Sequence, residues 1–407
     1  MTVPRERDRW AIVATYALVA SANQMLWLTF APITTASAHY YGVSEGTIGW
    51  LSEIFPLIYV ILAVPAAAAL DRWFRPALAG GAALTAIGAL VRLGGPTFAW
   101  AMAGQLLIAI AQPLVLNAVT GVASGYLTVA SRPLGISLGS AGVFLGILIS
   151  LVLGAALGGS RLHALLVIGA VYGVLAAVSL LATIAPAGPP AAQASTIGVE
   201  GLRAVWHDRL IRRLAAVAFV GFGIFVALTT WLQPLLHPAG ISSRMAGWLL
   251  VGMVLAGVAG AALLSAPVIR AGAAQTLFRV TAAVTGGVCI AIAVWQWVPL
   301  IAIGVGLAGF LLLASLPVIL ELAERRAGPA GTSATALVWL SGNAGGIVIA
   351  LLVQAVVHHR LIAFLLMAAV AVSVLPFVRA DPESVSLEDE PAGVSAPLSA
   401  DRGSPPG

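Results

Sequence analysis

An indole set deep in apolar sequence can attract a cation through its ring face, which no lipid-facing aliphatic side chain can do. Trp27 stands in Asn23-Gln24-Met25-Leu26-Trp27-Leu28-Thr29-Phe30, inside the first long apolar run. That is away from the interfacial belt where Trp gathers in membrane proteins. Flanked by amides, it is a candidate cation-π platform for a small, positively charged solute. Gln112, Asn117 and Asn343 lie in or beside later apolar runs. Each of these amides, like Asn23, either lines a cavity or bonds one helix to another. Glu53 is an ionisable group within an apolar run, and such a group is functional by default. It carries a proton, attracts a cation from the outer mouth, or pairs with Arg92.

The elements that position these residues follow from composition. The chain has 407 residues, 60% hydrophobic and only 9% charged, against about 25% charged in a soluble domain. Apolar runs near 11–36, 46–70, 77–95, 98–127, 134–158, 162–186, 211–236, 245–269, 273–296, 298–322, 331–357 and 361–378 each approach the roughly 20 residues that cross a bilayer as a helix. The expectation is an all-α membrane protein of twelve transmembrane helices. Arg5 to Arg9, an apolar run and Ala36-Ser37-Ala38 imitate a secretory signal. The run exceeds the 7–15 residues of a signal core, so it reads as a retained helix.

All 20 basic residues are Arg, and on the twelve-span reading only Arg92, Arg161, Arg244 and Arg360 lie on one side. The other sixteen place both termini on the cytoplasmic side of a cytoplasmic (plasma) membrane, the cell inner membrane, which the chain is expected to cross many times. The basic excess therefore records topology, and no nucleic-acid partner is expected. The partners expected are the lipid bilayer and a small-molecule substrate, with the protein a monomer. Lone Cys289 forms no intramolecular disulfide, and the adjacent pair His358-His359 is a poor metal site. Lys is absent, so no phosphate-cradling Gly-Lys loop exists, and no nucleophile-base spacing appears. No enzyme, catalytic residue, metal or cofactor is expected.

Residues 187–209 interrupt the apolar pattern with Gly188-Pro189-Pro190 and a basic, partly amphipathic segment. They divide the chain into an N-terminal half at 1–186, a cytoplasmic linker, a C-terminal half at 210–379 and a disordered tail at 380–407. The halves are related: Gly42-Val43-Ser44 with Gly49-Trp50-Leu51 recurs as Gly240-Ile241-Ser242 with Gly247-Trp248-Leu249, at an offset of 198. The offset carries Trp27 onto Phe225. Two pseudo-symmetric six-helix halves joined by a linker resemble the major facilitator superfamily, whose halves rock about a midplane site. In that architecture Trp27 and Phe225 line opposite cavity walls.

The superfamily's loop between spans two and three reads Gly-x-x-x-Asp-Arg-x-Gly-Arg-Arg. Here Ala67-Ala68-Ala69-Leu70-Asp71-Arg72-Trp73-Phe74-Arg75 keeps Asp71, Arg72 and Arg75 without the glycines. The resemblance implies a gating charge cluster that also takes in Arg132. Span five has Gly139 to Gly146 without the proline of drug-proton antiporters.

A narrower resemblance rests on Trp50-Leu51-Ser52, on Gly104 through Gln112, and on Pro317 through Leu322. These are similar to the feline leukaemia virus subgroup C receptor-related family, facilitators of choline and ethanolamine long discussed as haem exporters. The resemblance implies a head-group site at Trp27 and Gln112 and gating at Glu321. The family's span-seven tyrosine is replaced by Phe225-Val226. Glu321 and Glu324 are also spaced to pair with Arg325 and Arg326. The function expected is passage of a choline-like or amino-alcohol cation by alternating access. A proton-coupled exporter of drugs or metabolites, haem-related transport, and a non-transporting receptor or sensor are the alternatives.

Overall fold

The computed structural model describes residues 8–158, 161–184 and 199–378, and every regular element among them is helical. The predicted tail and residues 187–198 of the predicted linker lie outside these. The first crossing is α1 (Trp10–Trp27), a 3-10 turn at Ala31–Ile33, and α2 (Thr34–Tyr41). The next helical run, α3 (Glu45–Val91), has 47 residues, about 70 Å at the rise of an α-helix. It makes two crossings, broken at Trp73 by non-helical dihedrals (φ −136°, ψ 55°). Helices α4 (Phe98–Leu116) and α5 (Val119–Tyr126) form the fourth crossing, followed by α6 (Arg132–Leu157) and α7 (Leu162–Thr183). A short α8 (Val199–Trp206) precedes six more: α9 (Arg209–Leu236), α10 (Ser243–Arg270), α11 (Ala274–Val294), α12 (Val298–Ala327), α13 (Gly331–Ala355) and α14 (Arg360–Val372). Twelve crossings therefore stand where twelve apolar runs were read.

The internal repeat is built twice with the same local chemistry. Gly42 (φ 65°) and Gly240 (φ 77°) both take the left-handed conformation that ends a helix, which glycine adopts without a Cβ clash. Two residues on, Ser44 Oγ accepts from the Thr47 N–H at 3.1 Å and Ser242 Oγ from the Met245 N–H at 3.3 Å. Each serine caps the helix that follows.

The two halves meet on the side away from α8. The Thr35 N–H donates to Gln233 Oε1 and Gln233 Nε2 donates to Thr35 Oγ1, both at 3.0 Å. These positions are 198 apart, so repeat-mates face each other across the pseudo-twofold axis. Gln354 Nε2 donates to the Gly46 carbonyl at 3.1 Å. The glycines of the repeated motif explain themselves here: a Cβ at Gly49 would lie 2.3 Å from the Trp231 ring, and one at Gly247 2.7 Å from Ala155 of α6. Glycine in each half lets the opposite half close in.

On the opposite side, α8 buries Val205 in a cluster with Ile211, Leu214 and Leu337, and exposes Arg203 and Trp206. Asp208 caps α9 by accepting from the Leu210 and Ile211 N–H groups at 2.8 and 3.2 Å. It also receives Arg326 Nε at 2.8 Å. The linker is thereby pinned to the end of α12.

Candidate functional site

Between the halves lies a cavity of about 540 Å3, reaching from Trp27, Gln24 and Phe225 near mid-span to Leu202 of α8 and Thr332 at the start of α13. It extends toward the linker side, where Leu202 and Thr332 line it, and the packed far side closes its other end. Among the described residues, none on its wall is Asp, Glu, Lys, Arg or His. Aliphatic side chains are the largest part of that wall, with seven aromatic rings among them. Phe222 stacks against Phe225 at 6.1 Å between centroids and edge-on to Trp339 at 6.0 Å. This strip from α9 and α13 stands across from Trp27.

Trp27 is 5% exposed and its Nε1–H donates to the Ser52 carbonyl at 2.9 Å. The donor edge is spent on α3, which leaves the π-system as the ring's remaining polarity. Gln112 also lines the cavity, and its amide has no partner among the described residues. Asn117 accepts from the Tyr59 hydroxyl at 2.8 Å, and both line the wall. Asn343 Nδ2 donates to the Trp339 carbonyl of its own helix at 2.9 Å, leaving its oxygen for the cavity. A solute here meets π-faces and a few amides or hydroxyls, with no fixed charge. Such walls suit an organic cation lacking N–H donors, since a ring face offsets desolvation without a buried carboxylate.

Three expectations are corrected. Asn23 is not on the wall: its Nδ2 donates to Thr85 Oγ1 at 3.3 Å and the Ile108 carbonyl at 3.1 Å, so it ties α1 to α3 and α4. Arg92 does not pair with Glu53. It is buried just past the end of α3, at the end of the third crossing, where Nη1 donates to Gln105 Oε1 at 3.2 Å and Thr29 Oγ1 at 3.3 Å. Glu53 itself is not at an open outer mouth; it is 0% exposed, it faces Thr230 of α9, and neither carboxyl oxygen has a hydrogen-bond partner.

The gating charge cluster, which the resemblance implies for the outward-open state, is not assembled in this conformation. Asp71 is exposed and forms no ion pair among the described residues. Arg72 lies 4.9 Å over the Trp73 ring, Arg75 Nη2 donates to the Ile184 carbonyl at 3.3 Å, and Arg132 Nη2 to that of Ser124 at 3.3 Å. Glu321 pairs with Arg325 at 2.7 Å as its spacing implies. Arg326 reaches Asp208 because the α9 cap lies beside it.

Gln24, Tyr59, Phe222 and Trp339 line the cavity without having been singled out from sequence. Helical spacing held the signal: Gln24 is three residues from Trp27, Phe222 three from Phe225, and Trp339 four from Asn343, all same-face neighbours. Tyr59 had no such marker.

A family model described as Major Facilitator Superfamily matches residues 12–350. Solute carrier family 49 member A3 of Danio rerio is 31% identical over 376 residues, covering 86% of this chain and 78% of that protein. The human protein named choline/ethanolamine transporter FLVCR2 is 34% identical over 122 residues, 29% of this chain and 23% of that one. Among solved structures, a bacterial homologue of the human lysosomal transporter Spinster aligns with a TM-score of 0.72 at 17% identity, covering 93% of this chain and 95% of that one. With two six-helix halves around a midplane cavity, the chain belongs to the major facilitator superfamily, in the group that includes solute carrier family 49 member A3.

Proposed function

We propose that this transporter carries a small organic cation, choline-like or an amino alcohol, by alternating access and facilitated diffusion. The observation that carries the reading is a cavity with no charged residue among the described lining residues, with Trp27, the Phe222, Phe225 and Trp339 rings and the unbonded Gln112 amide on it. The name of the partly matching choline/ethanolamine transporter supports the same substrate class. The arginine bias makes the linker side cytoplasmic, so the cavity faces inward in this state. Haem is disfavoured because its propionates would find no cation on these walls. The test is choline binding and choline flux in liposomes. Trp27→Ala weakens binding by about 2- to 30-fold, the worth of a cation-π contact, and Trp27→Phe retains part of it. Parent-like affinity in Trp27→Ala removes the cation reading, and a purified protein that binds but shows no flux is a receptor.

A second reading, proton coupling, is favoured by one specific observation. Glu53 is sealed against Thr230 in the contact between halves, with no ion-pair partner among the described residues, and opening that contact delivers it to outside water. Burying an unpaired charge is costly, so gate opening and proton exchange at this carboxyl are linked. If a pH gradient alone drives concentrative flux, and Glu53→Gln abolishes the drive while leaving exchange intact, the protein is proton-coupled. Flux indifferent to the gradient, in both proteins, supports the facilitator.

A further inference from the structure

The Trp27 indole bonds to a backbone carbonyl in the middle of a membrane helix, where carbonyls are ordinarily taken by the N–H four residues on. The residue four positions after Ser52 is Pro56, inside α3, and proline has no N–H to give. The Ser52 carbonyl is therefore left over by the helix itself, and Trp27 Nε1–H fills it at 2.9 Å. The adjacent Leu51 carbonyl is likewise served from another helix, by Gln105 Nε2 at 2.8 Å. Side chains of α1 and α4 thus bond carbonyls of the turn before Pro56, as proline-bearing helices in lipid require.

From this we infer that Pro56 is a positioning residue for the substrate site: by withholding an N–H from Ser52, it fixes the donor edge of Trp27 against α3. The consequence is electrostatic. An aromatic ring is negative on its face and positive at its edge, and the indole N–H is the most positive part of that edge. A Trp27 with an unsatisfied N–H would gain by turning it to the polar groups of the cavity, presenting a cation with the repulsive side. Ser52 is not on the cavity wall, so the bond holds this edge away from the solute. This assignment rests on the cation reading proposed above for its effect on affinity, but the hydrogen bond does not.

Pro56→Ala supplies the missing N–H, which competes with Trp27 for the Ser52 carbonyl. We expect choline to bind about three- to tenfold more weakly, the worth of one hydrogen bond. In a Trp27→Phe background, where there is no ring N–H, Pro56→Ala should have no further effect. A purely structural proline would impose the same loss in both backgrounds, and that result overturns the inference. Replacing Trp27 with benzothienylalanine, which keeps the ring shape and substitutes sulfur for N–H, leaves Pro56 untouched should Pro56→Ala fail to fold. It should show the same three- to tenfold loss, and unchanged affinity also overturns the inference.

Deuterium exchange of the Trp27 indole N–H, assigned by its loss in Trp27→Phe, is read without ligand. It should be slow in the parent and fast in Pro56→Ala. Equal exchange in the two refutes the positioning role. Parent-like choline affinity in Trp27→Ala with the exchange difference intact refutes the cation reading alone.

Discussion

At the scale of single residues, the site works by what has been spent elsewhere. Trp27 has given its N–H to Ser52, Asn117 has taken the Tyr59 hydroxyl, and Asn343 has used one N–H on its own helix. Gln112 has given nothing, so it is the wall amide freest to read a substrate's hydroxyl. Gln112→Leu should narrow the preference for choline over tetramethylammonium, which has no hydroxyl. The expected loss is about two- to tenfold for choline and little for tetramethylammonium, matching one hydrogen bond. Competition binding with the two cations measures it, and equal losses would assign Gln112 to packing.

At the scale of elements, one cap also ties the linker to the C-terminal half. Asp208 both starts α9 and holds Arg326. Burial by itself raises the Asp208 carboxyl, but Arg326 and the two α9 N–H groups outweigh it and hold it below its usual value. A carboxyl depressed in the folded state contributes stability above its unfolded pKa, near 3.9, and loses it as pH falls through the lower folded value. Asp208→Ala should therefore cost about 0.5–2 kcal/mol near neutrality. The gap between parent and variant should shrink below about pH 4, as followed by thermal unfolding in detergent. A gap constant down to pH 3 would mean that the charge contributes nothing.

At the scale of the whole molecule, closure of the far side depends on missing side chains. Gly49 accepts Trp231 and Gly247 accepts Ala155 at distances no Cβ tolerates. Overpacking such a contact costs about 1–3 kcal/mol, which shifts a two-state equilibrium by about 5- to 150-fold. Gly49→Ala should therefore populate the state open on the far side. A cysteine placed at Thr230 then labels faster from that side, while labelling of cavity positions from the linker side slows. Unchanged labelling on both sides would show that Trp231 repacks and that the contact is no gate.

Much of this was legible in the chain itself. Twelve apolar runs, the arginine bias and the 198-residue repeat determine the number of crossings and the pseudo-symmetry, because lipid forces each run to satisfy its own backbone bonds as a helix. The repeat also placed Trp27 opposite Phe225. Sequence could not say which face of a helix meets the cavity, since a helix buried all round has no polar stripe to mark it. For that reason Asn23 and Asn343 looked alike, yet one packs helices and the other lines the wall. Arg92 and Glu53 looked like partners because spans two and three bring both toward the outer mouth. Only the tertiary structure decided that Arg92 turns to Gln105 while Glu53 faces the other half, because which groups meet depends on how helices are rotated against their neighbours.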